Sequence, residues 1–370
     1  MTIPHFNSPV PVSETTPVLT IVQLQDAFRN VCHNRRHFPP GADIWHLRFH
    51  AGQRLPQILA AVRAGRWLFS PLSLIRRHDG SCVAVWSAED ATVITALTLA
   101  LRPLLPVSTH CEHLRGHGGG KTSVRRAREA IAREGFRFVC RTDIKAYYAG
   151  IHHALLYEQL CRYVHHPVLR NLLYQFIHYS TEEGGTFYTP RKGIPRASSL
   201  SPLLAAFHLT EIDRHFEQQP HLRYARFMDD FLIFTRTRHH LRRAVRVLNG
   251  FLTQYGFAQH PGKTFIGRIT KGTDWMGFRM DSTGYGGPAP RAVSNMLQKL
   301  RRLYEQPRHL SASQRQARVA QYLTHWLWWA RWGSEPAHAV KALLYGFRPT
   351  DSTANDVQRI HAVGRLFAYR

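Results

Sequence analysis

The segment from Arg223 to Thr235 restricts the fold most. Tyr224-Ala225-Arg226-Phe227-Met228 is a strand-forming run, Asp229-Asp230 follows, and Phe231-Leu232-Ile233-Phe234 is a second strand. Two apolar strands joined through two acids predict a β-hairpin with carboxylates at its tip. An acid pair in a turn says little alone, because Asp is a common turn residue. Its weight comes from the strands on both sides and from a third strand upstream. Phe136 to Asp143 alternates apolar and polar residues and ends on another acid. Acids are scarce here, 24 against 49 Lys and Arg, so three carboxylates at strand ends need a reason. Carboxylates held close repel unless a cation sits between them. Two hard Mg²⁺ ions about 3.5–4 Å apart, held by such carboxylates, clamp the attacking and leaving oxygens of a phosphoryl transfer.

The charge points to a partner of the opposite sign. A formal net charge of +25 repels itself unless a polyanion is near, and nucleic acid is the usual one. The 370 residues suffice for about two domains. Five scattered cysteines (Cys32, Cys82, Cys111, Cys140, Cys161) show no CxxC spacing, which fits a reducing cytoplasm. No run is long enough to span a bilayer: Val93 to Leu101 stops at Arg102-Pro103. A cytoplasmic protein without membrane contact is expected.

Along the chain, residues 1–20 read as a flexible tail without signal-peptide features. Leu19 to Leu105 reads as mostly helical. Two short strands, Leu72–Ile75 and Cys82–Trp86, flank a turn, and a buried helix runs from Ala91 to Leu105. A helix is expected after Ile151, and an amphipathic one from Arg242 to Tyr255. Val293, Met296, Leu297, Leu300 and Leu303, then Val319, Tyr322, Leu323, Trp326 and Trp329, fall at helical spacing. Two such helices with basic outer faces fit a duplex backbone or are simply solvated.

The ordered segments resemble those of reverse transcriptases, specifically the bacterial group II intron-like type. They run Arg141-Thr142-Asp143-Ile144-Lys145-Ala146-Tyr147-Tyr148, then Lys192-Gly193-Ile194-Pro195-Arg196-Ala197-Ser198-Ser199-Leu200-Ser201-Pro202-Leu203. Phe227-Met228-Asp229-Asp230, His260-Pro261-Gly262-Lys263-Thr264 and Trp275-Met276-Gly277-Phe278 complete the series. Any one is unspecific; five in the family's order, within about residues 20–290, are specific. The resemblance implies an α+β right-hand fold: helical fingers, a palm on an antiparallel sheet, and a helical thumb. Residues 21–287 would be fingers and palm, and 288–370 thumb and C-terminal segment. It implies RNA-directed DNA synthesis, with an RNA template, a DNA or RNA primer, dNTPs, and two Mg²⁺ ions that Mn²⁺ can replace. A non-coding RNA or protein partner stays open.

It also implies residue roles. Asp143 and Asp229 would be metal ligands, Asp230 a weaker one, and the Ile144 carbonyl a further ligand. Tyr148 would be the aromatic gate against a ribose 2′-OH; otherwise it is a core aromatic. Lys263 would act near the pyrophosphate as general acid, or is a solvated loop lysine. Gly277 would let a hairpin approach the primer, or is an ordinary turn glycine. Arg76 and Arg77 occupy the position where the family grips triphosphate, without its usual proline-lysine pattern. Pro195-Arg196-Ala197 stands where Pro-Gln-Gly is usual, so Arg196 would meet nucleotide or template differently. Phe227 replaces a tyrosine that could reach the primer. From their basic charge alone, Lys121 and Arg125, and Lys299 and Arg302 further on, are expected template or primer contacts.

Two other patterns are set aside. Gly116-His117-Gly118-Gly119-Gly120-Lys121-Thr122 lacks the Walker spacing, and Arg115 occupies its required glycine. His110, Cys111, His113 and His117 match no common zinc spacing, and the pairs 152–153, 165–166 and 239–240 read as surface histidines. The rivals are an RNA-dependent RNA polymerase on the same fold, a non-catalytic nucleic acid-binding relic, and an ATPase using the glycine loop.

Overall fold

The structure, a computed structural model, describes residues 18–76, 82–282, 287–305 and 310–330. It is α+β. The chain opens with helices α1 (Ile21–Asn34), α2 (Asp43–Phe49) and α3 (Ala51–Arg63), strands β1 (Leu72–Arg76) and β2 (Cys82–Val85), and helix α4 (Ala88–Leu101). Thr20 caps α1 in a reciprocal box with Gln23. Leu19, read as tail, is fully buried, and its carbonyl accepts two hydrogen bonds from Arg63. An apolar residue just before the cap gains more from the core than from solvent. Helix α4 starts three residues before the expected Ala91 because Ser87 caps it, and it ends before Pro103.

Helix α5 (Gly119–Arg133), strand β3 (Phe138–Asp143), and helices α6 (Tyr147–Gly150), α7 (His153–Cys161) and α8 (Pro167–Ile177) follow. Strands β4 (Thr181–Glu183) and β5 (Thr186–Tyr188) join β1 and β2 in one sheet, ordered β2-β1-β4-β5. His153, expected on the surface, is buried, with Nε2 2.7 Å from the Gly193 carbonyl. It faces inward on the first turn of α7, where that carbonyl partners its ring nitrogen.

Helices α9 (Ser201–His208) and α10 (Thr210–Glu217) lead to β6 (Leu222–Phe227) and β7 (Asp230–Thr235), then α11 (Arg238–Gln254) and β8 (Phe265–Arg268). The second sheet is antiparallel throughout, ordered β6-β7-β3-β8. Alternate residues face opposite sides of a strand. Cys140, Phe231 and Ile233 enter the main core with Leu241, Ala244 and Leu248 of α11. Val139, Leu232 and Phe234 enter a second core with Val124, Ala127 and Ile131 of α5. Coverage on both faces explains the unbroken apolar run of β7. The expected hairpin is therefore present, and α11 starts at Arg238 rather than Arg242 because Thr237 caps it.

Strands β9 (Thr273–Trp275) and β10 (Phe278–Met280) form a small hairpin on the α5 side. Helices α12 (Pro290–Glu305) and α13 (Ala312–Ala330) pack on each other through Val293, Met296, Leu323 and Trp326. Trp329 lies on Phe278, ring centroids 4.5 Å apart, and joins the pair to the small hairpin.

Candidate active site

All three predicted acids lie at one end of the β6-β7-β3-β8 sheet. Asp143, the last residue of β3, stands directly opposite Asp230, the first of β7, and Asp229 sits in the turn before it. The Ile144 N–H donates to the Asp229 carbonyl at 3.1 Å, and the His260 N–H donates to the Asp143 carbonyl at 2.7 Å. The loop after β3 is thereby tied to the hairpin on one side and to the 260–264 segment on the other. The Lys263 ammonium donates to Asp143 Oδ2, and Thr142 and Thr264 hydroxyls lie 2.7 Å apart.

The carboxylates disfavour each other. Burial, then the Asp143 charge, pushes the Asp229 carboxyl up to about 6. Burial and Asp143 also raise Asp230, while Arg141, Lys263 and Arg291 pull it back. An all-oxygen donor set in which one carboxyl resists ionisation suits a hard divalent cation such as Mg²⁺ or Mn²⁺. Among the described residues no three acid, histidine or cysteine side chains are already gathered as a metal cluster; Lys263 is the present counter-charge of Asp143. The donor chemistry fits the ion.

The tip of the hairpin needs holding, because Met228 has φ +57°. A non-glycine residue there costs about 1–2 kcal/mol. Four side chains whose role sequence reasoning missed supply the hold. Arg226, wholly buried, donates to the Met228 carbonyl at 2.8 Å and to the Ala206 carbonyl at 2.9 Å. The same guanidinium is paired with buried Asp213, which also accepts from the Tyr224 hydroxyl at 2.6 Å. On the other side, the Met228 N–H donates to His113 Nδ1 at 3.2 Å, and His113 Nε2 lies 3.2 Å from the Pro202 carbonyl. Burial, then Arg226, presses His113 down to about 4, so it is a neutral acceptor. An arginine on an alternating strand looks solvent-facing in sequence, and only the acid thirteen residues upstream hints otherwise.

Tyr148 is buried beside the acids: burial, then the Asp229 charge, raises its hydroxyl to about 12. The Arg196 guanidinium lies 6.0 Å from its ring centroid. Gly193 (φ +92°) lets the Lys192–Ala197 segment press on this loop: an added Cβ would come 3.0 Å from the Tyr148 carbonyl oxygen. The structure thus brings together Asp143, Ile144, Asp229, Asp230, Lys263, Tyr148 and Arg196.

Other candidates lie elsewhere. Arg76 is ion-paired to Glu183 within the other sheet, and Arg77 lies outside the described residues. Phe227 ends β6 with its ring 5.9 Å from His113. Lys121, in the first turn of α5, has its ammonium 4.0 Å from the Trp328 ring centroid. Arg125, Lys299 and Arg302 are exposed on α5 and α12. Gly277 (φ +84°) follows Met276 (φ +49°) in the two-residue turn between β9 and β10. An added Cβ would meet the Trp329 ring at 2.9 Å, so Gly277 also serves helix packing. The glycine loop ends at the start of α5, where the Gly119 N–H donates to the Glu112 carbonyl.

A profile of the reverse transcriptase (RNA-dependent DNA polymerase) family matches residues 90–280, more than half of the chain and all three acids. The chain belongs to the reverse transcriptase family. It therefore carries a reverse transcriptase (RNA-dependent DNA polymerase) domain over those residues. It is also 24% identical over 160 residues to the COX1/OXI3 intron 1 protein of Saccharomyces cerevisiae. That match covers 41% of this chain and 19% of the yeast protein, so the chain spans a small part of its relative. No described helix is long and apolar enough to cross a membrane.

Proposed function

We propose that this reverse transcriptase extends a primer 3′-OH with dNTPs along an RNA template, using Asp143, Asp229 and Asp230 to hold two divalent cations. The observation that carries the reading is the Asp143–Asp230 register with Asp229 in the adjoining turn, its carboxyl raised to about 6. The β6-β7-β3-β8 sheet would be the palm, the preceding helices and the β2-β1-β4-β5 sheet the fingers, and α12–α13 the start of the thumb. Residues 21–287 and 288–370 would be the corresponding parts; the tail up to residue 17 and residues 331–370 lie outside the described residues. A cytoplasmic setting fits the unpaired cysteines.

Bound divalent cations supply Lewis-acid stabilisation to the attacking and leaving oxygens. The protein's own part is to place charge and shape. The three carboxylates and the Ile144 carbonyl would hold those cations. Lys263, the partner of Asp143, would turn to the leaving pyrophosphate and give it a proton once that carboxylate is neutralised. Tyr148 would close the space beside the sugar 2′ carbon, which favours dNTPs over NTPs. Arg196, its guanidinium 6.0 Å from that ring centroid, would bind nucleotide phosphate or template. Arg76 and Arg77 would bind triphosphate after Arg76 leaves Glu183. Phe227, Gly277, Lys121, Arg125, Lys299 and Arg302 would border the primer and template.

Primer extension on poly(rA)·oligo(dT) with Mg²⁺ tests the reading. Wild type should extend with dTTP, Asp229→Ala should not, and Mn²⁺ should support wild type. No extension by wild type there, nor on mixed-sequence RNA with dNTPs, refutes it.

A further inference from the structure

The end of the sheet opposite the acids is basic. At that rim β3 begins after Arg137, β7 ends before Arg236, β8 ends at Arg268, and α11 opens with Arg238. Arg133, the last residue of α5, and Lys271 beyond β8 are exposed beside them, as are all four arginines. The register fixes this grouping, since Phe138 pairs with both Thr235 and Arg268. Two planes are seated on rings: Arg236 lies 5.5 Å from the Phe136 centroid and Arg268 6.0 Å from that of Phe138. The nearby acid Glu134 already faces Arg223 at 4.0 Å. From Phe231 to Thr273 the chain contains no Asp or Glu.

Strand β7 separates this rim from the carboxylates by about 17 Å, from five steps of 3.3 Å. Four strands at about 4.8 Å make the rim about 14 Å wide, broad enough for several phosphates. Guanidinium forks on strand ends, in fixed positions, suit phosphate oxygens better than a diffuse counter-charge does. We propose that this rim is a second nucleic acid-binding surface, which anchors the phosphate backbone of a folded RNA away from the polymerase centre. It rests on the polymerase reading only for the choice of RNA among polyanions.

The test uses the full chain and a labelled hairpin RNA, with binding measured by anisotropy across a salt series. The principal variant carries Arg137→Gln, Arg238→Gln, Arg268→Gln and Lys271→Gln. Its log–log salt slope should be shallower by about 3, at roughly 0.7–0.9 per lost phosphate contact. Hairpin affinity at physiological salt should fall by about tenfold or more, while kcat on saturating poly(rA)·oligo(dT) stays unchanged. Lysine at the three arginine positions should keep the slope. Should the four-fold variant melt early, Arg137→Gln with Lys271→Gln should lose about half as much slope.

An unchanged slope overturns the proposal. So does a fall in kcat parallel to the fall in binding, which would place these residues in the polymerase groove. So does wild-type binding to anionic vesicles or an acidic peptide with none to the hairpin. Asp229→Ala should bind the hairpin like wild type, so failure of extension and failure of anchoring are separable.

Discussion

Replacing Asp229 by Asn should abolish extension and, without divalent cation, stabilise the protein. The Asp229 carboxyl is raised from 3.8 to about 6 by burial and then by Asp143. Such a rise corresponds to about 3 kcal/mol of disfavoured ionisation. The group is half-buried, so solvent screening reduces this to about 1–2 kcal/mol. The sign follows from linkage. With a folded pKa above the unfolded one, the native state holds the proton longer, and stability falls as pH rises from about 4 to about 6. Asn keeps the shape and removes that fall. Thermal melts in EDTA should therefore show the variant level with wild type near pH 4 and more stable at pH 7.5. Adding Mg²⁺ should stabilise wild type through binding to the native state and leave the variant nearly unmoved. A variant less stable than wild type at pH 7.5 in EDTA would refute the claim that these carboxylates repel.

Arg226→Met leaves Asp213 charged and buried, which should cost about 3–5 kcal/mol in denaturant unfolding. Arg226→Met with Asp213→Leu should recover part of that stability but not kcat, because the Tyr224 hydroxyl and the Ala206 and Met228 carbonyls stay without their partners. His113→Gln probes the other side of the tip. Its ordinary value of 6.5 is lowered to about 4 in the fold, so the unfolded chain takes the proton first and stability is lost as pH falls through that window; the variant should melt less steeply there. Gly277→Ala should cost about 1–3 kcal/mol from positive φ and the Trp329 clash, and Trp329→Leu should return part of it in a thermal melt. Tyr148→Ala should raise rNTP incorporation relative to dNTP in single-nucleotide extension, and an unchanged ratio would remove its gate role.

The hairpin, the strand into Asp143 and the α11, α12 and α13 helices were legible because each carries its own periodicity. Period-two alternation or an unbroken apolar run marks a strand buried on one or both faces, and helical spacing marks one buried stripe. The meeting of Asp143 with Asp230 is different in kind. It depends on the β3–β7 register, nearly ninety residues apart, which no local pattern states. The five ordered segments made that meeting expected, through resemblance rather than spacing.

What stayed hidden is what holds the acids in place. The left-handed Met228 is fixed from both sides, its carbonyl by Arg226 and its N–H by His113. Neither residue looks structural in sequence: Arg226 reads as a surface position on a strand, and His113 as one of a scattered histidine group. Buried polar groups are informative only once their partners are known, because the same side chain is favourable when satisfied and costly when not. Here the satisfied set comprises Asp213, Tyr224, Arg226 and the carbonyls of Ala206 and Met228. It offsets the strain at Met228 and so presents Asp229 against Asp143, against their mutual repulsion. A cation held between the two carboxylates, as proposed, would relieve that same repulsion, and the force that opposes the native turn would become affinity for the metal.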